Sequence, residues 1–162
     1  MLGLNSCESN TDTEKPVRWS NESSIELNKA IMEEEEINIK LFLAQHSDWN
    51  MKKTGSGLRY MIYKAGEGDL GKKGETAMVS YKISLLDGTV CYETEEDEYR
   101  EYKIDHSDIE TGVQEALKLL HVGDHSKLII PSHIAHGLTG DMNKIPPLST
   151  LVIDLHLIGL KK

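Results

Sequence analysis

The chain has 162 residues, enough for one compact domain and one extra element but not for two domains with separate cores. Lys and Arg number 18 against 27 Asp and Glu, and the resulting formal charge of -9 argues against a nucleic-acid-binding protein. No stretch contains the roughly 20 apolar residues that a membrane-spanning helix needs. We therefore expect membrane association only through a lipid anchor or a partner.

A candidate lipidation site lies near the N-terminus. Cys7 follows Leu4-Asn5-Ser6 and precedes a polar run, an order that resembles the bacterial lipobox, in which the cysteine is lipidated. Only six residues precede it, whereas an export signal contains about 7 to 15 apolar residues, so lipidation of Cys7 requires a start further upstream. The other cysteine, Cys91, occupies a strand-like segment, where a small buried side chain is expected.

The first third of the chain predicts a tether and a helix. Residues 1–22 contain Pro16 and no periodicity, which is typical of a lipoprotein-like N-terminus and a flexible tether. Residues 23–54 are predicted to form a helix, from Ser24 to Gln45, followed by a linker. Six apolar residues fall on one side of that helix: Leu27, Ala30, Ile31, Ile37, Leu41 and Ala44.

The acidic run from residue 33 to 36 reads as a solvated turn of this helix, with an acidic patch for a basic partner as the alternative. Three roles are open for the helix: dimerisation, docking on a larger assembly, or packing back on the main domain.

Residues 55–162 predict an α+β domain of four or five mostly antiparallel strands and one short helix. The helix is expected from Thr111 to Leu120, and Asp87-Gly88 is a hairpin signal. Alternating or continuous apolar patterns place strands in six segments: 58–63, 77–86, 89–93, 100–104, 126–130 and 150–160.

The sequence carries no pattern for metal, cofactor or nucleophile chemistry. Its seven histidines include the close pairs His133 with His136 and His121 with His125, but Gly123 and Pro131 interrupt these segments and no further ligand recurs at the right spacing. A phosphate-binding loop and a nucleophile elbow are both missing. We therefore expect no metal and no cofactor.

Seven short motifs follow one another between residues 55 and 162. They are Gly55-Ser56-Gly57-Leu58-Arg59-Tyr60, Val79-Ser80-Tyr81, Leu86-Asp87-Gly88-Thr89, Gly112-Val113-Gln114-Glu115-Ala116-Leu117, Val122-Gly123-Asp124, Ile129-Ile130-Pro131-Ser132-His133-Ile134-Ala135-His136-Gly137, and Ile145-Pro146-Pro147-Leu148-Ser149-Thr150-Leu151-Val152-Ile153-Asp154. In this order the set resembles the FKBP-type peptidyl-prolyl cis-trans isomerases. The turn at 130–133 and the loop at 143–146 are most similar to the gliding-motility-associated branch, whose members are bacterial lipoproteins with an N-terminal helical extension.

The resemblance implies an antiparallel half-barrel sheet wrapped around one short helix, with an N-terminal helical extension, and a binding pocket against that helix. Tyr81 matches the family's tyrosine on the second strand, and it is a candidate catalytic residue. Ile109 and Glu110 match a backbone pair that meets the peptide, and Ile145 matches the apolar rim. A further aromatic position of the family falls within one or two residues of Tyr99, Arg100 and Tyr102.

Several pocket positions depart from the family pattern. Cys91 and Tyr92 replace a Phe-Asp pair, and Val113 replaces a tryptophan or another large apolar residue on the pocket floor. His136 replaces the tyrosine whose hydroxyl contacts substrate and is the second candidate catalytic residue, while Ile153 replaces a phenylalanine. The aromatic content is only 6%, and the aromatic residues that are missing relative to the family are missing mainly from the expected pocket.

Two functions follow from these residues. The first is a peptidyl-prolyl isomerase and folding chaperone for proline-containing, exported polypeptides. The alternative is a binding module with weak or lost catalysis in an envelope secretion or gliding-motility assembly. For both we expect the periplasmic side of a bacterial cell envelope, a lipid anchor, and either an envelope complex or a homodimer formed through the N-terminal helix.

Overall fold

The computed structural model describes residues 21–106 and 108–162, so the predicted lipidation site at Cys7 lies outside the described residues. Within these ranges the chain forms two α-helices, seven β-strands and one 3-10 turn at Ser132–Ile134. The bounds of the helices and strands are α1 Asn21–Gln45, β1 Lys52–Lys53, β2 Arg59–Lys64, β3 Thr76–Leu85, β4 Val90–Glu93, β5 Arg100–Lys103, α2 Thr111–Leu117, β6 His125–Ile130 and β7 Leu151–Lys161.

The seven strands form one antiparallel sheet in the order β1-β2-β6-β7-β3-β4, with β5 also paired to β3. Strands β3 and β7 pair along their whole length, from Thr76 opposite Lys161 to Leu85 opposite Leu151. The predicted total of four or five strands is too low, although the six segments assigned to strands overlap β2 to β7. The additional short strand β1 consists of two lysines, and it is recognisable only by its pairing with β2.

The core lies between this sheet and helix α2. Alternate residues of β7, from Leu151 to Leu157, are buried, and they pack with apolar side chains of β3, β6 and α2. The helix comes close to the sheet because its second residue is Gly112, where a Cβ atom would lie 2.4 Å from the Ile130 side chain. The predicted α+β architecture is confirmed, and this close packing fixes the first turn of α2 against the sheet.

Helix α1 contributes to two structural units, because the division between them falls at Glu33 and Glu34. Residues 21–33 are the described part of the first unit, where Lys29 and Glu33 form an ion pair across one helical turn. Residues 34–162 form the second unit, which contains the end of α1 and the whole sheet. No helix within residues 21–106 and 108–162 has the length and apolarity to cross a membrane.

The predicted apolar stripe of α1 is wrong for the second unit. Ile37 and Leu41 are 56% and 59% exposed, whereas Ile39, which the stripe omits, is 1% exposed. Glu35 and Glu36, predicted as part of a solvated turn, are half-buried and hydrogen-bonded to residues of the sheet and its loops. Periodicity counts only apolar residues, so it misses a face that buries carboxylates with distant partners.

The predicted boundary between linker and domain, at residues 54 and 55, stays a prediction. Strand β1 lies on the linker side of it and pairs with β2, through Lys53 opposite Arg59. The linker begins at an aromatic cluster of Phe42, His46 and Trp49 at the end of α1, with ring centroids 4.2 to 5.6 Å apart. Phe42 stacks on His46 and meets Trp49 edge to face.

Candidate functional site

A cavity of about 600 Å³ lies between the sheet and the first turn of α2. Its walls come from β3, β4, β5 and β7, from residues 108–111 before and at the start of α2, and from the loop residues 135, 136 and 141. Two long strands and a helix therefore supply a rigid floor, while loops supply the rim.

The interior of the cavity is apolar. Val113 in the first turn of α2 is 6% exposed, and Ile153 on β7 is 1% exposed. Val79, Ile83 and Leu155 complete this surface and are equally well buried. Such a surface favours a small apolar ring over water, because transfer of apolar area from water is favourable by about 25 cal/mol per Å².

Two tyrosines form one wall. The hydroxyl of Tyr102 on β5 donates a hydrogen bond to the hydroxyl oxygen of Tyr81 on β3, at 3.4 Å, and the two rings lie 6.5 Å apart. Burial, followed by the contact with Tyr81 and the charge of Glu110, raises the pKa of Tyr102. Tyr102 therefore remains a donor, and the proton of Tyr81 is left for another acceptor.

A histidine and a glutamate of the cavity lining contact each other at the rim. The Nε2 atom of His136 lies 2.7 Å from Oε1 of Glu110, and their side chains are 29% and 13% exposed. Glu110 precedes α2, where its carbonyl oxygen accepts hydrogen bonds from the backbone N–H groups of Val113 and Gln114. The contact joins the loop after the 3-10 turn to the start of the helix across the mouth of the cavity.

Asp141 organises the third side. Its Oδ1 atom accepts hydrogen bonds from the backbone N–H groups of Asn143 and Ile145, at 2.9 and 2.8 Å, and its Oδ2 atom accepts one from the Tyr92 hydroxyl. Burial alone would raise the pKa of Asp141, but the hydrogen bonds, led by the one from Tyr92, lower it to about 2. The same hydrogen bond raises the pKa of Tyr92.

The structure brings together seven of the nine predicted catalytic and substrate-binding residues. These line the cavity: Tyr81, Tyr92, Ile109, Glu110, Val113, His136 and Ile153. Cys91 and Ile145 do not line it. Both are buried in the core beside it, 2% and 3% exposed, and the Cys91 thiol points to the carbonyl oxygen of Lys144 at 3.6 Å. Contact of any of the nine with a substrate stays a prediction.

Asp141 and Tyr102 are among the lining residues that were not predicted as site residues. Asp141 stands alone in a polar loop, and its role depends on how that loop folds back on its carboxylate. Tyr102 was one of three aligned alternatives, and only its bond to Tyr81 singles it out. An aromatic residue at the inward register of a strand paired with β3 is the signal that favours it.

The histidine pairs noted in the sequence have other neighbours. His133 Nε2 lies 2.9 Å from the carbonyl oxygen of Ser56, and the His125 ring stacks on His156 with centroids 3.9 Å apart. His121 lies 3.8 Å from the carboxylate of Asp124. Among the described residues, no three His, Cys, Asp or Glu side chains are grouped as metal ligands.

Comparisons with known proteins agree with this geometry. Residues 68–158 match the family model described as FKBP-type peptidyl-prolyl cis-trans isomerase. The chain is 34% identical over 143 residues to the FKBP-type isomerase FkpA of Buchnera aphidicola from Schizaphis graminum, covering 87% of this chain and 56% of the relative. It is 35% identical over 107 residues to the outer membrane protein MIP of Legionella longbeachae, covering 66% of this chain and 46% of the relative.

The crystal structure of FkpA from Escherichia coli superposes with a TM-score of 0.70 at 29% identity, covering 86% of this chain and 64% of that chain. AtFKBP13 superposes with a TM-score of 0.65 and is covered along its whole length, at 24% identity. The predicted FKBP-like fold with a helical N-terminal extension is confirmed. The chain spans about half the length of the curated relatives it matches.

Proposed function

This chain belongs to the FKBP-type peptidyl-prolyl cis-trans isomerase family, and we propose that it accelerates the cis-trans isomerisation of X-Pro bonds in polypeptide clients. The observation that carries the proposal is the apolar cavity walled by Tyr81 and Tyr102 and closed at its rim by Glu110 and His136. A proline ring fits the chemistry of that interior, and the polar groups of Glu110, His136 and Asp141 in the lining can bind a peptide backbone.

The reaction needs no acid, base or metal. Resonance holds the X-Pro amide planar behind a barrier of roughly 18–20 kcal/mol, and the twisted transition state loses this conjugation. A pocket lowers the barrier if it holds the proline ring, excludes water and stabilises the rotated carbonyl better than the planar one. Val113 and Ile153 supply the ring contact, since both are buried at the floor.

Tyr81 is the group we assign to the rotated carbonyl. Its oxygen accepts the hydrogen bond from Tyr102, so its own O–H is polarised and available to donate into the cavity. A hydrogen bond that strengthens as the amide twists raises the rate, whereas one that is equal in both states changes only the affinity.

An assay of the full chain on an Ala-Leu-Pro-Phe-type peptide tests this proposal. We expect acceleration of the cis-to-trans step that grows linearly with protein concentration and falls in Tyr81→Phe. Tyr63→Phe is the matched control, because Tyr63 also donates a hydroxyl bond, to Asp154 at 2.8 Å, but lies outside the cavity. A peptide that binds without any acceleration would instead support the alternative of a binding module.

We place the clients among exported polypeptides and the protein on the periplasmic side of a bacterial envelope. The relative named as an outer membrane protein supports this location. The motif at Cys7 supports lipid anchoring, and the turn at 130–133 and the loop at 143–146 support the gliding-motility-associated lipoprotein branch. Mass spectrometry of the protein from its native membrane tests the anchor, and an unmodified N-terminal Met would contradict it.

The N-terminal helix is the proposed contact to a second copy or to an envelope complex. Ile37 and Leu41 support this, since more than half of each side chain is exposed and neither packs on the sheet. Sedimentation of the full chain separates the two partners: a homodimer predicts twice the monomer mass, and a monomer favours an envelope complex.

A further inference from the structure

The carboxylate of Glu35 in helix α1 contacts two loop segments, one that follows strand β6 and one that precedes strand β7. Its Oε1 atom accepts hydrogen bonds from the backbone N–H of Ser132, at 2.7 Å, and from the Thr150 hydroxyl, at 2.6 Å. Its Oε2 atom accepts one from the Ser132 hydroxyl, at 3.0 Å. A carboxylate bound by several donors holds its partners in fixed positions, because each bond to a charged group is stronger than a neutral one.

Ser132 in turn holds the backbone on both sides of His136. The Ser132 carbonyl oxygen accepts hydrogen bonds from the N–H groups of Ala135, at 3.0 Å, and Gly137, at 2.8 Å. His136 lies between these two residues and reaches Glu110 across the cavity mouth. A continuous set of hydrogen bonds therefore leads from Glu35 through Ser132 to the backbone on both sides of His136, whose imidazole lies at the rim.

Glu36 fixes the rotation of the helix that this arrangement requires. Arg59 on β2 donates from Nη2 to both carboxylate oxygens of Glu36, at 2.7 and 2.8 Å, and the Arg59 side chain is 7% exposed. Burial opposes the charge, but the Arg59 hydrogen bond is larger and lowers the pKa of Glu36. With Glu36 turned to Arg59, the preceding Glu35 faces the turn at Ser132.

We propose that Glu35 is a positioning residue for the isomerase pocket, acting through Ser132 to hold His136 at the rim. The proposal rests on the proposed isomerase function, and it makes the end of α1 part of the catalytic unit. His133 contacts the Ser56 carbonyl oxygen from the same turn, whereas the Ser132 N–H and hydroxyl both donate to Glu35.

The test compares three variants of Glu35 in the full chain. Glu35→Asp keeps the charge but shortens the side chain, so it cannot reach Ser132 and Thr150 together. Glu35→Gln keeps the length, with an oxygen for the Ser132 N–H and an amide that donates to the Ser132 hydroxyl oxygen. We expect kcat/KM to fall about threefold to tenfold in Glu35→Asp and Glu35→Ala, and to stay within about twofold of wild type in Glu35→Gln.

Glu34→Ala is the matched control, since Glu34 is exposed on the same helix, and its kcat/KM should equal that of wild type. The assays belong well below the unfolding temperature of every variant, so that a loss of stability does not reduce the folded fraction. Should Glu35→Ala fail to fold, the comparison of Glu35→Asp with Glu35→Gln still decides the proposal.

Two further readouts separate positioning from a purely structural role. If Glu35 acts through His136, then Glu35→Asp should cost little additional activity in a His136→Ala background, whereas independent effects would multiply. The imidazole NMR signals of His136 should shift in Glu35→Asp and return in Glu35→Gln. Multiplicative effects, or unchanged His136 signals in Glu35→Asp, would overturn the proposal, and the NMR readout remains valid if the protein lacks isomerase activity.

Discussion

His136 and Glu110 face each other across the mouth of the cavity, with Nε2 of the imidazole 2.7 Å from Oε1 of the carboxylate. The pair connects the loop after the 3-10 turn with the start of α2, so two segments distant in sequence share one rim. Its polar atoms satisfy each other in the free protein. A bound peptide therefore meets a preformed rim and not two mobile side chains.

Removal of one member of this pair leaves the other without its partner. In His136→Ala the carboxylate of Glu110, 13% exposed, loses its contact, and an unsatisfied buried group costs about 1–3 kcal/mol. We also expect kcat/KM in the peptide assay to fall about tenfold, because the variant removes a fixed polar group from the rim; a factor of ten corresponds to roughly 1.4 kcal/mol. The double variant His136→Ala with Glu110→Gln should lose less than the product of the two single effects. Strictly multiplicative losses would show that the two side chains act independently.

The hydroxyl of Tyr81 is expected to matter more than its ring. Tyr81→Phe keeps the apolar wall and removes the proposed donor, so kcat should fall about tenfold while KM changes little, as for an interaction made mainly in the transition state. Tyr102→Phe removes the hydrogen bond that polarises Tyr81 and should give a smaller loss of kcat. Equal losses of kcat/KM in Tyr81→Phe and in the distant Tyr63→Phe would contradict this assignment.

Asp141 predicts a pH dependence of stability. Its pKa in the folded protein is lowered to about 2, so the folded state binds its proton less readily than the unfolded state does. The free energy of unfolding that this group contributes is therefore fully present above about pH 4 and is lost as pH falls toward 2.

Urea denaturation of wild type and Asp141→Asn between pH 2 and pH 7 measures this contribution. The asparagine has the same shape but does not ionise, so the gap in stability between the two proteins should be constant above about pH 4 and shrink below it. A gap that stays constant down to pH 2, or widens there, would contradict the assigned pKa.

The floor of the cavity offers a gain-of-function variant. Val113→Ile adds one methylene at a β-branched position that is 6% exposed, and burial of a methylene group is favourable by about 0.8 kcal/mol. We expect the KM for a proline peptide to fall about threefold, measured from initial rates over a range of peptide concentrations. Val152→Ile on β7 is the matched control, since it adds the same group outside the cavity. An equal decrease of KM in both variants would exclude Val113 from the binding surface.

The sequence predicts those parts of the fold that depend on local pattern. Asp87-Gly88 marks the turn between β3 and β4, and there Gly88 adopts a φ of +88° while the Asp87 carboxylate accepts a hydrogen bond from the Thr89 N–H. Alternation along β7 likewise matches its buried face. The orientation of α1 is not predictable in this way, because Glu35 and Glu36 face inward only when Ser132 and Arg59 are already in place.

The residues of the site also fall into those that the sequence located and those that it did not. The resemblance to a family located Tyr81, Val113, His136 and Ile153 by their order in the chain, without any knowledge of their contacts. The resemblance did not identify residues whose role depends on contacts made in the folded chain. Asp141 shows this, since aspartate is common in loops and its function here comes from a backbone that curls around the carboxylate.

NMR exchange spectroscopy on an X-Pro peptide in the presence of the full chain is the most direct test of isomerisation in this cavity. If the cavity is an isomerase site, exchange cross-peaks should connect the cis and trans proline signals at a rate far above that of the peptide alone, and the protein resonances of Tyr81, Val113 and Ile153 should shift. Absence of exchange at equimolar protein, or exchange accompanied by shifts only outside the cavity, would contradict isomerisation in this cavity.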